Sequence, residues 1–199
     1  MSIEKFISVI LHPVFMPSIT ILLVTKQYLN IIVLESQIPI IIIGTIVFTL
    51  ALPLLSVCLL LLFNKIESLE IRKKEERFLP LLLSVIWMTI GFLYLKEILN
   101  YTPIIKSIYL GAIYILILSL FITRFWKISL HMLAIGGATG VLLTLELLFS
   151  QNTTFLLLFI LFSGCLGFSR YSLKAHSLKQ VYAGFLFGNI IMYLSIIYL

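Results

Sequence analysis

Aspartate does not occur in this chain of 199 residues; all eight acids are glutamate. Chemistry that needs an aspartate is excluded, or must be served by another group. Charge of either sign is scarce, at 11% of residues, against about 25% in soluble domains. There are two cysteines, Cys58 and Cys165, both inside apolar runs and with no Cys-x-x-Cys pattern. Together with three scattered histidines they make no zinc-ligand spacing. They read as small apolar residues buried in the spans. No metal or other cofactor is expected.

What fills the chain instead is hydrophobic: 61% of residues, with a mean hydropathy of +1.18. A soluble globular domain and a disordered chain are both excluded, and the bilayer must be the solvent. The net charge of +6 is spread thinly between apolar runs. It forms no dense basic face, so nucleic acid is not a partner.

A spanning helix needs about 20 apolar residues. Phe6–Thr25 is the first candidate, kinked or only partly inserted because of His12, Pro13 and Pro17. No small-x-small site follows it, so a cleavable signal peptide is not expected. Ile38–Phe63 is a clear span with a kink expected at Pro53. After the hydrophilic loop Asn64–Arg77 come Phe78–Leu95, Ser107–Thr123 and Ile128–Phe149. Phe155–Phe168 is short, and Val181–Leu199 ends the sequence. The expected fold is all-α: a polytopic membrane bundle of six to seven helices, residues 1–199 forming one integral-membrane domain. Helices are required because isolated strands leave backbone groups unsatisfied in lipid. Gly136, Gly137, Gly140, Gly164, Gly167, Gly184 and Gly188 mark positions where helices can approach closely.

Seven crossings put the N-terminus and alternate loops on one face. That face carries eleven of the fourteen basic residues, leaving only Lys26, Lys96 and Lys106 opposite. The excess of Lys and Arg predicts that it is cytoplasmic. Three polar clusters share it: Arg72–Pro80, Lys127–His131 and Ser169–Gln180. They supply the guanidiniums of Arg72, Arg77 and Arg170, the hydroxyls of Ser129 and Ser169, and the imidazoles of His131 and His176. Arginine recognises phosphate bidentately. Ser129 and His131 stand at a helix start, where free N–H groups favour anions. His176 can attack phosphorus and His131 can protonate the leaving alkoxide. Gln180, four residues on, shares a helical face with His176 and can orient its ring.

Ser169-Arg170, five residues, then His176 resembles the third signature of the type 2 phosphatidic acid phosphatase superfamily, Ser-Arg-x5-His-x3-Asp. The family's other signatures are Pro-Ser-Gly-His and Lys-x6-Arg-Pro. Its members are helical, need no metal, and include membrane lipid phosphatases. The resemblance spans roughly residues 70–190. It implies that His176 is the nucleophile, His131 the general acid, Gln180 the ring-orienting partner, and Arg77, Ser129, Arg170 and Arg72 the phosphate binders. HPVFMP near the start, KISLHM and AHSLKQVYAG also look like a compact bacterial branch, which implies the inner membrane. The departures are specific. Glu70 stands seven before Arg77 where the family has lysine, with Arg72 or Lys73 as the substitute, and proline follows Arg77 three residues later, at Pro80, instead of directly. Ile128-Ser129-Leu130-His131 replaces Pro-Ser-Gly-His. Gln180 replaces the final aspartate.

The expected function is hydrolysis of a lipid phosphomonoester or pyrophosphate through a phosphohistidine. The alternative is a non-catalytic relative that binds an anionic lipid or a membrane-protein partner. His12 lies toward the same end, and two readings are open: a residue that lines the site or, the plainer one, a residue with no part in it. Glu146 reads as a headgroup-level residue at the opposite face. Trp87 and Trp126 read as residues of the lipid face or the interface belts.

Overall fold

The computed structural model describes residues 2–27, 35–68, 71, 73–150 and 153–198. Among them there is no strand, and seven helices are long and apolar enough to cross a membrane. They are α1 (Ile3–Gln27), α2 (Ile38–Leu62), α3 (Glu75–Asn100), α4 (Pro103–Phe125), α5 (Leu130–Phe149), α6 (Thr153–Ser172) and α7 (Leu178–Tyr198). The protein is therefore a multi-pass helical membrane bundle.

α1 counts as a crossing but is broken in two. A first helix, Ile3–Ile10, ends before His12, and a single 3₁₀ turn, Pro13–Phe15, leads into Met16–Gln27. Proline disfavours helical backbone in the residue before it, and His12 is extended at φ −67°, ψ 139°. The first helix then leans on α6 while the second packs on α5 and α2.

In α2 the irregularity is a π-helical stretch, Ile46–Ala51, ahead of Pro53. Proline has no N–H to give to the preceding turn, so the helix there widens by one residue. The disturbance thus falls in the turn before the proline. The sixth crossing is not short: its helix draws in polar residues at both ends and runs Thr153–Ser172.

α5 is the most buried helix, touching α1, α4, α6 and α7. Its tightest seam is with α7, and glycines make it. A Cβ at Gly188 would lie 2.1 Å from the Leu133 carbonyl oxygen, and one at Gly136 2.2 Å from that of Phe185. Gly140 and Gly184 complete the seam against Asn189 and Ser129. Backbones approach this closely in lipid only where side chains are absent. Gly164 does not belong to the pattern: nothing lies within 4 Å of where its Cβ would be.

Two other expectations change. Cys58 and Cys165 are on the outer surface of the bundle instead of inside it, where the other exposed residues are large and apolar, such as Leu62, Phe121 and Leu157. Trp87 is not a belt residue: its indole N–H donates to Ser56 Oγ at 2.8 Å and ties α3 to α2.

Candidate functional site: a cationic, imidazole-lined cluster at one end of the bundle

The α4–α5 link, Trp126 to Ser129, is the frame. Ser129 caps α5, its Oγ accepting the Met132 N–H at 3.5 Å. The two carbonyls just before it point at the neighbouring helices. Lys127 O receives His176 Nδ1 at 3.2 Å, and Ile128 O receives Arg77 Nη1 at 3.0 Å. Consecutive peptide groups thus hold a residue from the α6–α7 loop and one from the start of α3.

His176 is 6% exposed. Its Nδ1 also meets Gln180 Oε1 at 3.1 Å. A backbone carbonyl can only accept, so Nδ1 carries the hydrogen and Nε2 keeps its lone pair. Burial and the Arg77 and Arg170 guanidiniums pull this imidazole down to about 4 from an ordinary 6.5, with the Gln180 hydrogen bond opposing them. At neutral pH the ring is uncharged and Nε2 is nucleophilic.

Gln180 has a second occupation. Its Oε1 accepts the Ser177 N–H at 3.1 Å, while its own N–H reaches Ser177 Oγ at 3.4 Å. This is a capping box at the start of α7.

Arg77 is 4% exposed. Besides Ile128 O, its Nε donates to Ile71 O at 3.3 Å. Ile71 has φ +43°, unusual for a β-branched residue, and this turn aims its carbonyl at the guanidinium. Arg170, at the end of α6, gives Nη1 to Ser8 Oγ at 2.5 Å. Its carbonyl accepts the His176 N–H at 3.3 Å, which folds the loop back over the helix end.

The first helix of α1 is the strap over this end. Glu4 O accepts from Ser169 Oγ at 2.5 Å. Four residues on, Ser8 O takes His131 Nε2 at 3.1 Å. His131 is therefore protonated on Nε2, the reverse of His176. Its ring meets that of His12 edge-on, centroids 5.1 Å apart. His12 Nδ1 accepts the Val14 N–H at 3.4 Å, so its hydrogen is on Nε2.

Of the expected residues, Arg77, Ser129, His131, Arg170, His176 and Gln180 come together, with Ser169 supporting the strap. His131 lies within electrostatic reach of both Arg170 and His176. Ser129 is wholly buried as a cap. Arg72 and Glu70 lie outside the described residues. Ser8 is an addition that no sequence signal marked. His12, whose place at the same end of the first span was its signal, also joins the cluster. Among the described residues no three His, Cys, Asp or Glu side chains converge as metal ligands. No family profile, curated protein or solved structure matches the chain.

Proposed function

We propose that the protein is a membrane phosphatase that hydrolyses a phosphate monoester or pyrophosphate of a lipid through a phosphohistidine. One observation carries the reading: His176 is held through Nδ1, which leaves Nε2 with its lone pair on a ring that feels the Arg77 and Arg170 guanidiniums.

In the first step the Nε2 lone pair attacks phosphorus and the bond from phosphorus to the lipid oxygen breaks. Arg77 and Arg170 stabilise charge on the equatorial oxygens. The leaving alkoxide takes a proton from the imidazolium that His131 forms once the anionic phosphate is bound beside it. Because His131 Nε2 is engaged by Ser8 O, the proton handed over is the one on Nδ1. In the second step water attacks phosphorus, the P–N bond breaks, and inorganic phosphate leaves. His131 Nδ1 accepts the water's proton, as the reverse of the first step requires. The resemblance to the type 2 phosphatidic acid phosphatases assigns the same roles. We place the protein in the inner membrane, with the cluster facing the cytoplasm.

The non-catalytic reading is favoured by Gln180. A neutral amide cannot stabilise an imidazolium by charge, and its capping box gives it a structural reason to be there. Phosphate release from a panel of lipid phosphates by purified protein decides. The catalytic reading expects vanadate-sensitive release; binding of those lipids with no release from any of them overturns it.

A further inference from the structure

Beneath the cluster the bundle contains a cavity of about 170 Å³. It is walled by α1 to α5 and Met192 of α7, and its lining is almost wholly apolar. Three residues join it to the polar end. His12 lines the cavity and touches His131. Ile71 lines it and holds Arg77 through its carbonyl. Leu130 lines it one residue after the Ser129 cap. The cavity therefore begins where the cationic site ends.

Its depth follows from the helices. Leu130 and Ala138 both line it and lie about 12 Å apart along α5 at the helical rise. That is most of the roughly 15 Å one leaflet contributes to the hydrocarbon core. At the deep end stands Tyr109, fully buried, whose hydroxyl has no hydrogen-bond partner among the described residues.

We propose that this cavity is the tail chamber of the site: it takes the hydrocarbon tail of a phosphorylated lipid whose headgroup sits among Arg77, Arg170 and the imidazoles. His12 then stands at the joint between headgroup and tail. The inference rests on the proposed function for the headgroup end only; occupation of the chamber needs no hydrolysis.

The test is photo-cross-linking of the full chain in nanodiscs, with a dodecyl monophosphate carrying a diazirine at its last carbon. Adducts are expected on Met88, Tyr109 or Ile115, which line the cavity. Unlabelled dodecyl phosphate should displace them. Ser84→Phe and Ala134→Leu, filling the cavity from α3 and α5, should each cut labelling about tenfold, what roughly two buried methylene groups contribute. Adducts confined to lipid-facing residues such as Leu93 and Phe121 overturn the chamber. So does equal labelling in folded Ser84→Phe and Ala134→Leu proteins. Chamber adducts without phosphate release from any lipid support the chamber and overturn the catalytic reading. Phosphate release with only outer adducts overturns the chamber alone.

Discussion

Arg170 and Ser8 are 162 positions apart in the chain and meet at 2.5 Å. The bond joins the end of α6 to the first helix of α1, and it fixes a guanidinium whose charge is felt by the His176 ring. Hydrogen bonds from charged groups contribute about 1.5–3 kcal/mol. Ser8→Ala should weaken vanadate binding by about tenfold, the low end of that range. The bundle should stay folded, because the Ser8 carbonyl that holds His131 remains. Unchanged vanadate affinity by calorimetry would show that Arg170 needs no such support.

His176→Ala should abolish phosphate release while leaving the bundle folded, since alanine offers no nucleophile. Gln180→Asp should preserve or raise activity, because a carboxylate can cap α7 and stabilise the imidazolium. Gln180→Ala should lose activity and about 1 kcal/mol of stability with the box. Release rates and melting temperatures in matched detergent separate the two roles. If His176→Ala keeps most of the wild-type rate, the phosphohistidine route is wrong.

The His176 ring, held down to about 4, sets a pH expectation. Its neutral form persists well below pH 6.5, so kcat/KM should stay level on its acid side until pH approaches 4 and then fall tenfold per unit. Stability follows the same sign. The folded imidazole resists a proton that the unfolded one takes up near 6.5. Its contribution is therefore present above 6.5 and is lost as pH falls toward 4. An acid limb near 6.5 in the kcat/KM profile would contradict the buried, cation-flanked position.

Gly188→Ala and Gly164→Ala make a matched pair. The first puts a Cβ 2.1 Å from the Leu133 carbonyl; the second meets nothing within 4 Å. Gly188→Ala should cost roughly 1–3 kcal/mol or prevent folding. Gly164→Ala should be neutral or stabilising by up to about 1 kcal/mol. Thermal unfolding in detergent reads both, and equal shifts would remove the α5–α7 seam as the organising contact.

For orientation, single cysteines placed in the Asn64–Arg77 loop of a Cys58→Ala/Cys165→Ala background should resist an impermeant thiol reagent in intact cells. Labelling there would put the cluster on the outer side.

Loop parity made the end of the bundle legible before its geometry. Counting crossings placed Arg77, His131, Arg170 and His176 on one face, because each span reverses direction whatever its packing. What parity cannot carry is lateral position. Nothing in the composition of Ile3–Ile10 says that it lies on α6, so the Ser8 contacts and the His12–His131 pair were hidden. Gln180 was half-read: its four-residue distance from His176 suggested an orienter, but Ser177-x-x-Gln180 is also a capping signature. Trp87 and the two cysteines went astray because an apolar run does not reveal which side faces lipid. The glycine pattern overcounted for the same reason at Gly164.

The strap over the site has a consequence for how the protein is made. Helices leave the ribosome in order, yet the cluster draws on α1, α3, α5, α6 and the turn that begins α7. His176 and Gln180 arrive only when nearly all the preceding chain has been inserted, and the Ser8 that holds Arg170 and His131 has been waiting since the start. A growing chain therefore has no competent cluster at any earlier stage. A product halted after α6 would expose Arg170 and His131 without the imidazole meant to face them. Its α5 glycines would lie open to any other small-residue helix in the bilayer, so such a fragment should be inert toward phosphate and prone to wrong pairing.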